Sequence, residues 1–293
     1  MEERYRNHIK AGWQEHMIRL DIGINMAYCE CGEKSDETKD VLLIHGVTDG
    51  CVSWSQIAPL LAEKGLHCYV VEYRGNGMTD KPDMEGGYTA EIIAEDMLSF
   101  MKKLGIERIN AVGHSFGSLI TQALTSKAPE KIITATMIDT AASCEKNAVL
   151  TEVIEGYGKY FKDAESEKSN MPEDFIRDWA DTSNDDEDFR TATYLHVRDM
   201  PAVSWKNLMN GIIKFDGKAY LENMKCPAMV IWGTEDEIFT GEDQEEVKKY
   251  LNSPDVRYVN IEGASHNGFW DSLQMAETYA GYIYDFITDN NGR

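Results

Sequence analysis

Short apolar segments separated by turn residues recur along the chain and predict β-strands. The two earliest, His16–Ile22 and Ile24–Cys31, alternate apolar and polar positions on either side of Gly23, which predicts an antiparallel hairpin at a sheet edge. The later segments are almost continuously apolar: Val41–Ile44, His67–Glu72, Ile109–Val112, Ala135–Ile138, Ala228–Trp232 and Val256–Ile261. Strands without a polar side are typical of a parallel sheet that helices cover on both faces.

Helical periodicity fills several of the intervals between these strands. In Glu91–Leu104 the apolar side chains fall on one stripe, and Gly105 stands where the end of a helix favours glycine. Ser115–Ala128 and Asp243–Leu251 have a similar length and pattern, and the charged first fifteen residues predict a short helix. Alternating strands and helices predict right-handed β-α-β units, and hence a doubly wound α/β fold with a mostly parallel eight-stranded sheet.

Residues 144–215 break this alternation. They are rich in acidic and aromatic residues and have helical patterns with no clear strand. We therefore expect a helical cap over the strand ends, inserted into a core domain of residues 1–143 and 216–293. The acidic run Asn184–Asp188 predicts a solvated surface, because no glycine and distal glutamate stand at the spacing of a calcium loop.

Charge and cysteine usage limit the classes of partner. The 293-residue chain has 51 acidic and 29 basic residues, for a formal net charge of −22, which disfavours nucleic acid and anionic membrane surfaces. The six cysteines lie singly in apolar segments, as buried reduced thiols do. The N-terminus lacks the apolar stretch of a secretory signal. We expect a cytoplasmic protein, monomeric or homodimeric, that acts on a small molecule.

The segment Gly113-His114-Ser115-Phe116-Gly117 carries the strongest chemical signal. It follows a predicted strand and precedes a predicted helix, the context of a G-x-S-x-G nucleophile elbow. A serine on such a turn projects its hydroxyl away from the backbone, and the N-terminus of the helix behind it presents N–H groups to developing negative charge.

A serine nucleophile needs a base, and the base needs an orienting acid. Among seven histidines, His266 lies in a loop after the last apolar strand, where it can reach Ser115. We predict Asp236 as the acid, since it follows the strand Ala228–Trp232. Its alternatives are the neighbouring acids Glu235 and Glu237, and Asp139, which ends the strand Ala135–Ile138.

Acyl transfer also requires N–H donors for the oxyanion. The amide of Phe116, the residue after the nucleophile, predicts one donor, and the amide of Val47 in the loop His45–Thr48 predicts the other. His45 is interpreted as a structural loop histidine.

At this point the chain resembles the α/β-hydrolase fold family, from residue 16 to the C-terminus. The matching segments are VLLIHGV, VVEYRGNGMTDKP, AVGHSFGS, MVIWGTED and IEGASHNGFW, in family order. The resemblance implies a triad of Ser115, His266 and Asp236, an oxyanion hole at Val47 and Phe116, no cofactor, no metal and a cap after the sixth strand.

Two positions depart from the family pattern, Glu72 in place of its aspartate and Met78-Thr79 in place of its serine, and both positions are normally structural. Epoxide hydrolases and dehalogenases of this fold use an aspartate nucleophile, which Ser115 argues against.

The predicted chemistry is hydrolysis of a small, uncharged, moderately hydrophobic ester or lactone, of the carboxylesterase or lactonase type, through an acyl-enzyme. Aromatic residues near predicted strand ends or in the cap predict the pocket wall: Trp54, Trp205, Phe239 and Trp270. Three alternatives share the triad. They are a carbon–carbon bond hydrolase, a cofactor-free perhydrolase or haloperoxidase, and a small-molecule receptor of this fold.

Overall fold

A computed structural model describes residues 13–35, 39–161 and 169–290. Within these ranges one sheet contains eight strands: β1 (Gln14–Arg19), β2 (Asn25–Cys31), β3 (Asp40–Ile44), β4 (His67–Glu72), β5 (Ile109–His114), β6 (Ile132–Ile138), β7 (Ala228–Gly233) and β8 (Val256–Ile261). Their spatial order is β1-β2-β4-β3-β5-β6-β7-β8. Strand β2 pairs antiparallel with β1 and β4, and all other neighbours are parallel. The expected doubly wound, mostly parallel α/β sheet is confirmed.

Helices connect the strands and cover both faces of the sheet. They are α1 (Ile57–Glu63), α2 (Ala90–Leu104), α3 (Phe116–Lys127), α4 (Ala148–Phe161), α5 (Glu173–Trp179), α6 (Glu187–Arg198), α7 (Ala202–Ile212), α8 (Lys218–Glu222), α9 (Gly241–Tyr250) and α10 (Leu273–Asn290). One buried apolar cluster includes side chains of α2 and α3, and a second includes those of α1 and α10. Among the described helices, none has the length and hydropathy that crossing a membrane requires.

The N-terminal helix expected over the first fifteen residues falls mostly on residues 1–12, outside the described residues. Gln14 and Glu15, which that expectation included, belong to strand β1 and pair with Glu30 and Cys29 of β2. The hairpin is therefore present, with its first strand beginning two residues earlier than the alternation indicates.

The segment 144–215 contains α4 to α7 and, in its described part, no strand of the sheet. Its two ends meet: Ser143 and Asp216 form an isolated antiparallel bridge, and the Cys144 amide donates to the Phe215 carbonyl at 2.9 Å. The chain thus leaves the core and returns to it at one place. We propose, from this bridge, that residues 144–215 form a cap on a core of residues 1–143 and 216–293. This division stays a prediction.

A buried ion pair stabilises the turn after β4. The guanidinium of Arg74 donates to both carboxylate oxygens of Asp96 at 2.7 Å, and also to the carbonyl of Gly87 at 2.8 Å. Both charged side chains are at most 3 % exposed. Removing one partner would leave the other charge buried without compensation.

Candidate active site

Ser115 occupies the turn between β5 and α3, beyond the carboxyl end of the strand. Its φ of 51° is positive, which non-glycine residues seldom adopt, so the turn holds the serine under strain. Two glycines make this turn sterically possible. A Cβ on Gly113 would lie 2.1 Å from the carbonyl oxygen of Gly117, and a Cβ on Gly117 would lie 2.1 Å from that of Ile44.

Ser115, His266 and Asp236 form one chain of hydrogen-bonding atoms at this edge of the sheet. Nε2 of His266 lies 2.9 Å from Oγ of Ser115, and its Nδ1 lies 2.9 Å from Oδ2 of Asp236. A carboxylate accepts only, so the proton is assigned to Nδ1 and Nε2 is left to accept from the serine hydroxyl. The other oxygen of Asp236 accepts the N–H groups of Ile238 and Phe239 at 2.8 and 2.9 Å, which fixes the carboxylate.

Asp139, the alternative acid, lies at the end of β6 but not against Nδ1 of His266. Its Oδ1 accepts the N–H of the last residue of β7 at 2.9 Å. Burial, followed by the nearby carboxylate of Asp236, raises the pKa of Asp139 well above its ordinary value. Glu235 and Glu237 are exposed. The geometry therefore places Asp236, rather than these alternatives, beside the histidine.

His114 supports the loop that carries His266. Its Nε2 donates to the His266 carbonyl at 2.9 Å, and burial lowers the pKa of His114 well below its ordinary value. One atom from each of His114, Asp139 and His266 falls within 4.8 Å of the others, the one group of metal-ligand type in the described part of the chain. Both nitrogens of His266 and Nε2 of His114 already take part in the hydrogen bonds above, so a metal would have to break them.

Two aromatic rings contact the loop after β3 and bind one of its carbonyl groups. The Tyr73 hydroxyl donates to the Gly46 carbonyl at 2.6 Å, and Nδ1 of His45 lies 2.7 Å from the same oxygen. The two rings stack with centroids 4.0 Å apart. Burial lowers the pKa of His45 to about 3, so the ring is neutral and acts as a packed support for the loop.

The residues expected to supply the two oxyanion donors both lie near Ser115. Val47 lines the same cavity as Ser115, and Phe116 begins α3 directly after the serine. In the described loops and turns, neither amide donates to a backbone carbonyl.

A cavity of about 290 Å³ adjoins Ser115 and His266. Aliphatic side chains of the loop after β3, of the segment 144–215 and of the loop after β7 form part of its wall: Val47, Leu150, Val197, Ile212 and Ile238. Two indole rings, of Trp179 and Trp270, also line it. The cavity thus combines core residues with residues of the helical segment.

The expected aromatic wall needs correction. Trp270 lines the cavity, whereas three of the four expected residues lie fully buried behind it: Trp54, Trp205 and Phe239. Trp205 packs its ring edge-on to Trp179 at 5.2 Å, and Phe239 packs edge-on to the imidazole of His266 at 5.4 Å. All three side chains are fully buried and are not among the residues that line the open volume.

Sequence reasoning missed Trp179 and three acidic residues of the cavity wall, namely Asp49, Asp178 and Asp181. Only the run Asn184–Asp188 is interpreted as solvated surface, and Asp178 and Asp181, which precede it, are exposed residues that line the cavity. No spacing rule identifies them, because the register between a helical insertion and the strand ends beneath it depends on tertiary packing.

Asp49 has an unusual environment for an acid. Its side chain is 11 % exposed, and its Oδ2 lies 3.9 Å from Nδ1 of His114, a buried atom without a hydrogen-bond partner among the described residues. Burial raises the pKa of Asp49 to about 8. The carboxyl group is therefore mostly protonated at neutral pH.

Comparison with known proteins places this geometry in a family. The model of the α/β-hydrolase fold family matches residues 40–273. N-formylmaleamate deformylase of Pseudomonas putida is 22 % identical over 86 % of this chain and 89 % of its own. Bifunctional epoxide hydrolase 2 of Sus scrofa is 26 % identical over 39 % of this chain, and the match spans only 20 % of that relative.

Solved structures show the same fold at low identity. The enol-lactonase of Burkholderia xenovorans superposes with a TM-score of 0.72 at 21 % identity, covering 93 % of this chain and 100 % of that one. A bacterial membrane phospholipase A superposes with a TM-score of 0.79 at 19 % identity, covering 99 % and 89 %. With a family match over most of its length, the chain belongs to the α/β-hydrolase fold family.

Proposed function

We propose that the protein is a serine hydrolase that cleaves a small, moderately hydrophobic ester or lactone through an acyl-enzyme. The observation that carries the proposal is the chain of atoms from Ser115 Oγ through His266 to Asp236, with 2.9 Å at each step. The serine lies within hydrogen-bond reach of the histidine, and the histidine within reach of the aspartate, which is the geometric requirement for an activated serine.

In the proposed first step, Ser115 attacks the substrate carbonyl while Nε2 of His266 takes the hydroxyl proton. Asp236 stabilises the imidazolium through Nδ1–H, and the protonated Nε2 then returns the proton to the departing alcohol. In the second step Nε2 of His266 takes a proton from water as its oxygen attacks the acyl carbon. The bond from the acyl carbon to Oγ of Ser115 then breaks while Nε2 returns the proton to Oγ, which releases the acid and restores the free serine.

The N–H groups of Val47 and Phe116 are the proposed donors to the oxyanion of both tetrahedral intermediates. Val47 lines the cavity beside Ser115, and Phe116 directly follows the serine at the start of α3, which supports this role. Removing one such donor costs about 2.7–4 kcal/mol of transition-state stabilisation in comparable sites. Because both are backbone groups on rigid turns, they need no reorganisation during the reaction.

Cavity size and relatives support a small substrate. A volume of about 290 Å³ accommodates a small organic molecule. Relatives and structural neighbours include a deformylase, an enol-lactonase and a thermophilic esterase. Epoxide hydrolases are also among the relatives, but their aspartate nucleophile is replaced here by Ser115, so we propose acyl transfer rather than epoxide opening.

A serine-directed fluorophosphonate and a panel of p-nitrophenyl esters and lactones test the proposal. We expect wild-type protein to be labelled and to turn over at least one panel member many times. Ser115→Ala should abolish labelling and lower turnover by at least ~10³-fold. Ser253→Ala, the same change at the amino end of β8, is the control and should leave both unchanged. Full turnover by Ser115→Ala, or no labelling of wild type, would refute the proposal.

A further inference from the structure

The charge of the cavity wall is one-sided. Among the described residues that line it are the exposed carboxylates of Asp178 and Asp181, and no lysine or arginine. Asp49 also lines it, but burial raises its pKa to about 8, so it adds little negative charge at neutral pH. Within the described ranges, none of the three forms an ion pair with a lysine or arginine. An anionic substrate would meet repulsion here without any compensating cation.

Two indole rings of the same cavity offer a second attraction for positive charge. Trp179 and Trp270 line the cavity, and indole is the ring type that binds cations best, with contacts that strengthen when water is excluded. The wall therefore offers a bound cation both exposed carboxylates and indole rings.

We infer that the preferred substrate is an ester that carries a positively charged nitrogen on its acyl or alcohol part, held beside Trp179 and Trp270 and facing Asp178 and Asp181. This inference rests on the proposed function and names the substrate class of that same site. It also differs from the expectation of an uncharged substrate, because the sequence alone does not place Asp178 and Asp181 at the cavity.

The net charge of −22 attracts any cation weakly, so a test must separate the cavity from the overall field. Asp178→Asn/Asp181→Asn removes two negative charges at the mouth. Asp174→Asn/Asp185→Asn removes two exposed negative charges from the same helical segment, at residues that do not line the cavity. The two double variants have the same net charge and differ only in where the two negative charges are removed.

Matched substrates isolate the charge from the shape. p-Nitrophenyl 4-(trimethylammonio)butanoate and p-nitrophenyl 5,5-dimethylhexanoate differ by a nitrogen-for-carbon exchange on the acyl side, and acetylcholine and 3,3-dimethylbutyl acetate differ likewise on the alcohol side. In wild type we expect kcat/KM for the cation to exceed that for its neutral match by at least about tenfold in one pair. The ratio should fall to about three or less in Asp178→Asn/Asp181→Asn and persist in Asp174→Asn/Asp185→Asn. A wild-type ratio near one in both pairs, or a ratio insensitive to Asp178→Asn/Asp181→Asn, would overturn the inference.

Direct binding distinguishes this inference from the proposed function. Butyltrimethylammonium is titrated into Ser115→Ala protein and followed by tryptophan fluorescence, which requires no catalysis. If Asp178→Asn/Asp181→Asn weakens this binding while wild type hydrolyses no ester of the panel, the cation site of the cavity is supported and the proposed function is refuted. Hydrolysis of neutral esters by wild type, without ammonium binding, supports the function and refutes the inference.

Discussion

The indole Nε1 of Trp179 donates a hydrogen bond of 2.8 Å to Oγ1 of Thr48. Thr48 stands in the loop after β3 with a φ of 66°, directly after Val47, while Trp179 ends α5 of the segment 144–215. One contact thus joins the helical segment to the loop that presents a proposed oxyanion donor. The position of that donor therefore depends on how the helices of the segment 144–215 pack against the loop after β3.

Trp179→Phe should lower kcat/KM for a p-nitrophenyl ester severalfold, because phenylalanine keeps a ring in the wall but has no N–H for Thr48. A neutral hydrogen bond of this kind contributes about 0.5–1.5 kcal/mol. Thr48→Ala should have a similar effect, and the double variant should add little to either. Thr48→Ser keeps the acceptor and should retain activity. Equal kinetics for Trp179→Phe and wild type would show that the contact does not position the loop.

The choice between the two acids can be tested kinetically. Asp236→Asn should lower kcat/KM by about 10⁴-fold, because an amide cannot hold the imidazole with its proton on Nδ1. Asp139→Asn should cost less than about tenfold, because its Oδ1 accepts a backbone N–H and an amide oxygen can do the same. The reverse order of effects in steady-state ester hydrolysis would assign the acid to Asp139.

Gly117→Ala should destabilise the nucleophile turn, since the new Cβ would meet the carbonyl oxygens of Ile44 and His45 at 2.1 and 2.6 Å. We expect a loss of at least about 3 kcal/mol in the free energy of unfolding, measured by urea denaturation. Gly156→Ala is the matched control, in an exposed part of α4 where a Cβ meets nothing within 4 Å, and should be stabilising by up to about 1 kcal/mol. Equal stability of both variants would contradict this account of the turn.

Arg74→Met should destabilise the fold by about 3–5 kcal/mol, because Asp96 would remain buried without its cation. Arg257→Met provides the contrast. Its pair with Asp289 is exposed, with side chains 37 % and 60 % exposed, and should contribute less than about 1 kcal/mol. Similar losses in urea unfolding for the two variants would show that burial does not set the difference.

Asp49 should make stability depend on pH. Its pKa is about 8 in the folded protein against an ordinary value of 3.8, because burial penalises its charged form. Burial also lowers the pKa of His114 and His196 and raises that of Tyr73, so the groups around it offer no charge to compensate.

Between pH 4 and pH 8 the folded state holds a proton on Asp49 that the unfolded state has released. Stability therefore falls as pH rises through this window. Asp49→Asn removes that dependence. Its free energy of unfolding, relative to that of wild type, should therefore rise by on the order of 3 kcal/mol as the pH is raised from 5 to 9. Urea unfolding at several pH values measures the difference, and parallel curves for the two proteins would contradict the prediction.

The strands and the candidate nucleophile are predictable because their signals are local. Continuous apolar runs predict parallel strands, and Gly113 and Gly117 around Ser115 predict a turn that any larger residue would block. The order of Ser115, Asp236 and His266, each after a predicted strand, then predicts convergence, because parallel strands end at one edge of the sheet.

Tertiary structure decided what no spacing could. Asp236 and Asp139 both follow strands at this edge, and only the course of the loop after β7 brings the first, not the second, to Nδ1 of His266. Trp270 lines the cavity, whereas three other aromatic residues do not: Trp54, Trp205 and Phe239. The helical segment contributes three further lining residues, Asp178, Trp179 and Asp181. Local sequence specifies which face of an element is apolar, whereas the residues that surround a cavity depend on how separate elements pack against one another.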